Sequence, residues 1–150
     1  MPDSHAQEQF SEGLINYVEL TGERDCVQLA GQAFRDMRSA FEANVGPSDV
    51  ISLAFPGMII RPDLRDIGLL AVLGDRVLVV WRKGVFKKTV QSEVIPRSAM
   101  TGVTVGKGTA GSRAGAVMLT IKTATTSAQI TLSREGAAKA ESLCAAITSS

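Results

Sequence analysis

Histidine and cysteine are scarce in this chain of 150 residues, which has one of the former and two of the latter. Because the histidine is His5, close to the start of the chain, a catalytic arrangement of the Ser-His-Asp or Cys-His type has no base. Cys26 and Cys144 are too few for a disulfide framework, and with a single histidine they cannot complete a zinc site. The sequence therefore predicts a protein that is not an enzyme, binds no metal or cofactor, and takes no small-molecule substrate.

Long apolar runs are also missing. No uninterrupted apolar stretch approaches the roughly 18 residues that a membrane-spanning helix requires. The first ten residues, "MPDSHAQEQF", lack the cationic and apolar regions of a secretory signal. These two absences predict a cytoplasmic protein.

A strong positive charge and a supply of aromatic side chains are lacking as well. The isoelectric point of about 7.8 and an aromatic content of 5% provide neither a basic footprint nor a stacking platform for nucleic acid. The glycine-rich segment 102–115, "GVTVGKGTAGSRAG", departs from a phosphate-binding loop because Gly108 stands where serine or threonine is needed. We expect a long hairpin loop there and no nucleic-acid partner.

The chain does contain the ordinary material of a folded domain, with 45% hydrophobic and 21% charged residues. Its charge is unevenly distributed. Residues 1–45 carry three basic and eight acidic side chains, a net charge of −5, and the remainder carries +6. This asymmetry predicts either two solvated surfaces or two parts that attract each other or face different partners.

Two helices are predicted in the acidic part. Ser4 and Gln7 can form a capping box at the start of the first helix, and Thr21-Gly22 is a plausible stop. The second helix is expected from about residue 24 to residue 44, before the linker "NVGPSD". Its apolar residues recur at steps of three and four: Val27, Ala30, Phe34, Met37 and Phe41. This seam predicts either a helical hairpin docked on its own domain or a helical dimer contact.

From Val50 the apolar period changes to that of strands. Gly74-Asp75 is placed where a tight hairpin turn favours residues that tolerate positive φ. Seven short strands are predicted, in "VISLAF", "IGLLAVL", "RVLVVW", "VFKKTVQSEVI", "MTGVTVG", "AVMLTIKT" and "SAQITLS". Their close spacing favours an antiparallel sandwich or barrel.

One amphipathic helix is predicted after the last strand. Ser133 is a suitable N-cap, and the apolar residues that follow share one face: Ala140, Leu143, Cys144 and Ile147. The whole pattern predicts an α+β protein with helices at both ends of an antiparallel sheet.

Residues 50–148 resemble the bacterial pleckstrin-homology-like domains. The likeness is carried by "LLAVLGDRVLVVWRKGVFKKTVQSEVIPRSAMTGVTVG", in which a hairpin leads into "KG" and a basic strand. "VIPRSAMTGVTV" then matches the family's pattern of Ile-Pro, a polar turn and a hydrophobic strand. The resemblance implies a bent seven-stranded sandwich closed by the C-terminal helix. It predicts a pleckstrin-homology-like domain over residues 46–150 and an acidic helical extension over residues 1–45.

The second and third predicted strands do not alternate between apolar and polar residues. Residues 69–73 and 77–81 are apolar throughout, so something must cover the outer face of this pair. The cover can be the N-terminal helices, another subunit, or the closure of the barrel itself. The candidate interface residues are Val27, Phe34, Met37, Phe41, Leu69, Leu73, Val79 and Trp81.

Four cations follow the third predicted strand. By resemblance to the pleckstrin-homology domains that bind phosphoinositides, this loop and the one between strands one and two imply an anion-binding or lipid-binding site. The candidate residues are Arg61, Arg65, Arg82, Lys83, Lys87 and Lys88. Asp63 and Asp66 lie among these cations, and the family's lysine and paired arginines are not reproduced. A solubilising edge is the alternative interpretation.

Two functions from different classes follow from the sequence. The first is a non-enzymatic protein-binding or assembly module, which acts through a protein partner or through self-association. The second is a peripheral membrane adaptor, which contacts anionic lipid headgroups weakly through the basic loops.

Overall fold

A computed structural model describes residues 4–61, 64–83, 89–107 and 117–148. The chain begins with the helices α1 (His5–Thr21) and α2 (Cys26–Asn44). Seven strands follow: β1 (Leu53–Arg61), β2 (Leu64–Val72), β3 (Arg76–Lys83), β4 (Thr89–Pro96), β5 (Met100–Lys107), β6 (Val117–Thr123) and β7 (Ser127–Leu132). A 3₁₀ helix, Arg97–Ala99, joins β4 to β5, and α3 (Arg134–Ala138) and α4 (Ala140–Thr148) close the described chain.

The first helix begins and ends where its sequence signals predict. The Ser4 hydroxyl accepts a hydrogen bond from the backbone N–H of Gln7 at 3.2 Å. At the other end Gly22 adopts the left-handed conformation, with φ of 78°, and donates its N–H to the Val18 carbonyl. Both contacts satisfy backbone groups that a helix terminus leaves without an internal partner.

All seven strands form one antiparallel sheet in the order β4-β3-β2-β1-β7-β6-β5. This confirms the predicted α+β architecture. The hairpin between β2 and β3 closes with a hydrogen bond from the Leu73 N–H to the Arg76 carbonyl at 2.8 Å. Neither Gly74 nor Asp75 has the positive φ that the sequence pattern favours at this turn. Most of the glycine-rich loop, residues 108–116, lies outside the described residues.

The C-terminal helix differs from the prediction because it is broken into two pieces. Ser133 caps α3 as expected, by accepting the N–H of Gly136 at 3.0 Å. The helical path breaks at Lys139, whose φ and ψ are −111° and 23°. The break allows α3 to contact α1 and β7, while α4 lies against β5.

The doubly apolar strands are enclosed by the chain itself. Every residue of 69–73 and 77–80 is buried, and α2 contacts β1, β2, β3 and β4. The aromatic rings of Phe10, Phe34 and Phe41 form one cluster between the two helices, with centroids 4.5 to 5.4 Å apart. The helices and the sheet therefore share one hydrophobic core, and the division at residues 45 and 46 stays a prediction.

Most of the candidate interface residues are core residues of this chain. Phe34, Met37, Phe41, Leu69, Leu73 and Val79 are all buried. They are therefore unavailable to a second molecule while the helices remain in place. Trp81 is half-buried and packs against the same core. Val27 is 45% exposed and lies outside the buried core, because the first turn of α2 buries Cys26 instead, so its place in an interface stays a prediction.

The approach of α1 to the sheet depends on a glycine. A Cβ atom at Gly13 would lie 2.7 Å from Cγ2 of Ile51, 3.1 Å from the backbone N of Ala54 and 3.2 Å from its Cβ. Such distances are shorter than ordinary van der Waals contact, and the two atoms of Ala54 cannot rotate away. Gly13 thus sets the distance between the first helix and the start of β1.

We predict that Gly13→Ala lowers the free energy of unfolding by about 1–3 kcal/mol, the usual cost of inserting a methyl group into a packed contact. The control is Gly31→Ala in α2, where nothing lies within 4 Å of an added Cβ. Since alanine favours helix over glycine, this control should stabilise the protein by about 0.5–1 kcal/mol. Denaturant titration measures both changes. Equal effects of the two substitutions would contradict close docking of α1.

Candidate functional site

Two hairpins of the sheet end on the same side of the molecule. The final residue pair of β1 and β2 is Arg61–Leu64, and that of β3 and β4 is Lys83–Thr89. Because the four strands pair consecutively and antiparallel, these two pairs lie at one end, opposite the β2–β3 turn. We call this end the basic end. The turn of the β2–β3 hairpin, residues 73–76, marks the opposite end.

The structure describes the side chains of only some of the candidate anion-binding residues. Arg82 is half-buried and Lys83 is exposed at the end of β3. Arg61 and Arg65 belong to β1 and β2, so the backbone brings their positions to the basic end, but their side chains lie outside the described part. Lys87 and Lys88 lie outside the described residues altogether. Their participation in the site stays a prediction.

A carboxylate of the N-terminal helices reaches the basic end. Nη1 of Arg82 donates to the Asp36 carboxylate of α2 at 3.1 Å. The side chains are 33% and 54% exposed, so water screens this ion pair. The acidic front of the sequence and its basic back therefore meet at this contact. This ion pair joins a surface residue of the docked helix α2 to the basic end of the sheet.

At the opposite end, Arg76 holds the linker and the β2–β3 hairpin together. Its Nη2 donates to Asp49 at 2.7 Å and to the Asn44 carbonyl at 2.7 Å, and its Nη1 donates to Asp75 at 2.6 Å. The hydrogen bond from Arg76, followed by that from the Gly46 N–H, holds the pKa of Asp49 below its usual value. This geometry fixes the residues that connect α2 to β1.

A cleft of about 700 Å³ lies beside this linker, between the β2–β3 turn and α4. Its charged groups already have partners within the chain. The Arg97 guanidinium donates to the carbonyls of Leu73 and Ile147, and Asp49 and Asp75 both pair with Arg76. The Arg97 contacts therefore hold the C-terminal helix against the hairpin. Among its described residues, the cleft presents no unpaired charge.

The two thiols are not activated. Burial raises the pKa of Cys26 to about 11, and burial also raises the pKa of Cys144. A nucleophilic thiol needs the opposite shift. Within residues 4–61, 64–83, 89–107 and 117–148, no three metal-ligating side chains come together in a way that holds an ion. Among the described helices, none combines the length and apolarity that crossing a membrane requires.

A partly buried polar cluster joins α1 to the start of α3. The Tyr17 hydroxyl donates to the Glu23 carboxylate at 2.8 Å, and the Ser133 hydroxyl donates to the same oxygen. The Tyr17 ring also stacks on Phe55 of β1, with centroids 4.8 Å apart. Burial, together with the Glu23 charge, raises the pKa of Tyr17 and keeps it protonated. The cluster therefore serves as a structural link.

Comparison with known proteins supports the fold and little more. No protein-family model and no curated relative matches this chain. A pleckstrin-homology domain from Shewanella amazonensis is 17% identical, has a TM-score of 0.53, and aligns over 75% of this chain and 96% of its own. A Shewanella loihica protein with a pleckstrin-homology domain is 14% identical, has a TM-score of 0.48, and aligns over 77% and 93%.

The fold is therefore that of the bacterial pleckstrin-homology domains, as the sequence resemblance predicted. Seven antiparallel strands and a C-terminal helix correspond to the expected domain, and a helical hairpin precedes it. Identity of this level carries the fold alone, because one fold can support many functions.

Sequence reasoning missed two of the residues that define the two ends of the sheet. Asp36 lies on α2, 46 positions before Arg82, and nothing in the spacing predicts that they meet. The sequence pattern identifies Arg76 only as the first residue of a predicted strand. A signal was present for Asp36, since an acidic helix preceding a basic sheet favours such pairing, but the register of the docked helix was unknown.

Proposed function

We propose that this protein is a non-enzymatic binding module that acts through protein contacts and self-association. The observation that supports the proposal best is the side of β4 that has no strand neighbour within residues 4–61, 64–83, 89–107 and 117–148. Thiols whose pKa is raised above its usual value are poor nucleophiles, which supports a role other than catalysis. Because α1 and α2 enclose the apolar strands, the residues of that core are not available as a contact surface.

The free side of β4 offers such a surface. This strand pairs with β3 on one side and has no strand neighbour on the other among the described residues. Val94 on it is 40% exposed, and Glu93 is the single charged residue of the strand. Natural edge strands are usually protected by lysine, bulges or covering segments, because unpaired backbone groups accept another strand. We infer that two copies pair through β4.

We predict that the full chain is a dimer or larger by light scattering, and that Val94→Lys makes it monomeric by adding a lysine charge to each of the two edges that would pair. The control is Ile15→Lys, which changes a residue that is 56% exposed on α1, away from both edges. This variant should keep the subunit number of the wild type. A monomeric wild type, or an unchanged mass for Val94→Lys, would contradict assembly through β4.

A second candidate function is contact with an anionic membrane surface. The observation that favours it is the meeting of Arg82 and Lys83 with the backbone positions of Arg61 and Arg65 at the basic end. Four cations near a surface contribute about 1 kcal/mol each, or roughly 4 kcal/mol in total, which gives weak and salt-sensitive binding. This function is compatible with assembly, because dimerisation would double the number of cations on one particle.

We predict that binding to vesicles containing phosphatidylglycerol is detectable at low ionic strength and disappears near about 0.15 M salt, where charges are screened over about 8 Å. Charge reversal at Arg82, Lys83, Lys87 and Lys88 should abolish it. Co-sedimentation with vesicles measures the bound fraction, and uncharged phosphatidylcholine vesicles are the control. Binding that survives high salt or the charge reversals would show that another surface is responsible.

A further inference from the structure

The arginines near the two ends of β3, Arg76 and Arg82, are held in different ways. Arg76 engages both oxygens of Asp49, at 2.7 and 3.3 Å, and also Asp75 and the Asn44 carbonyl. Arg82 donates to a single oxygen of Asp36 at 3.1 Å. Charge-assisted hydrogen bonds of this type are usually about 2.7–2.9 Å long and are strongest when bidentate. The first contact is therefore a fixed structural link, and the second is a loose one.

The donors of Arg82 are also incompletely used. Its Nε is buried and has no acceptor within the described part of the chain. A buried donor without a partner is unfavourable, and a guanidinium is best satisfied by a group that presents several oxygens in one plane or cluster. A phosphate group presents more oxygens than the one that Asp36 supplies. A phosphate that replaced Asp36 would therefore offer the exposed part of the Arg82 guanidinium more acceptor oxygens than the carboxylate now bound.

The position of α2 makes this contact adjustable without unfolding. The helix is attached to β3 at both ends of the strand, through the Asn44 carbonyl on Arg76 and through Asp36 on Arg82. Met37 and Phe41 of the apolar seam are buried between these two points. Because Asp36 is 54% exposed and lies outside the seam, its side chain can release Arg82 while the helix stays docked.

We propose that Asp36 competes with anionic lipid for Arg82, so that α2 restrains binding at the basic end of the sheet. This inference rests on the second candidate function and assigns it an internal competitor. In the docked state the carboxylate stands in for a phosphate oxygen and removes one cation from the surface that faces the membrane. Binding of an anionic surface must displace it.

Asp36→Asn tests the proposal in the full chain. The control is Glu42→Gln, which removes the same charge from the same helix and also breaks an ion pair, with Arg38 at 2.6 Å. The probe is a vesicle of phosphatidylcholine and phosphatidylglycerol at low ionic strength. We expect Asp36→Asn to bind about five-fold more tightly than the wild type, the effect of about one additional cation at the surface. Glu42→Gln should bind with nearly the wild-type affinity.

Three further outcomes are distinguishable. An equal gain for Asp36→Asn and Glu42→Gln would overturn the proposal, because it would reflect net charge alone. Wild-type binding that Asp36→Asn leaves unchanged would overturn it while the second candidate function stands. No binding by the wild type or by Asp36→Asn would overturn both.

A second substitution, Arg82→Ala, tests whether the gain in binding depends on the Arg82 guanidinium, and thermal midpoints test whether folding has changed. In the Asp36→Asn background, Arg82→Ala should remove the five-fold gain, since the released guanidinium is what binds the vesicle. The thermal midpoints of the variants should stay close to that of the wild type, because the ion pair is partly exposed. Retention of the gain without Arg82 would overturn the proposal.

Discussion

The strands β2 and β3 are apolar on both faces, and the rest of the structure depends on enclosing them. A sheet in which residues 69–73 and 77–80 are all buried requires a layer on each side. On one side α1 and α2 supply this layer, and β6, β7 and α4 contribute further residues to the same buried core. Burial of a single leucine or valine contributes about 1.5–3 kcal/mol, so a few such residues outweigh the exposed ion pairs between helix and sheet. The helical pair is thereby part of the hydrophobic core.

The polar contacts then determine where the layers sit. Arg76 fixes the linker at one end of β3, and Arg97 fixes the C-terminal helix through the carbonyls of Leu73 and Ile147. The Tyr17–Glu23–Ser133 cluster joins the first helix to the third. These contacts gather at positions where separate segments of the chain meet. The basic end has the weaker Asp36–Arg82 contact, a single hydrogen bond of 3.1 Å between partly exposed side chains.

Local signals allowed much of the fold to be predicted from the sequence. Ser4 and Gly22 delimit the first helix, and the seven apolar runs correspond to seven strands. The extent of β1 was missed, because Pro56-Gly57 interrupts the apolar pattern. In the structure the strand continues to Arg61, and Gly57 is needed because an added Cβ would lie 2.5 Å from the Thr131 carbonyl oxygen. The Arg76 and Asp36 contacts were not predictable, since they depend on how distant segments dock.

Because they share one hydrophobic core, the helical pair and the sheet are expected to unfold as one cooperative unit, and a single measurement tests this. Hydrogen-deuterium exchange of the full chain, followed peptide by peptide under native conditions, reports the opening free energy of each element. We expect amides of α1 and α2 at the buried seam to exchange with the same opening free energy as those of β2 and β3. Rapid exchange throughout α1 and α2, alongside protected β2 and β3, would contradict the account.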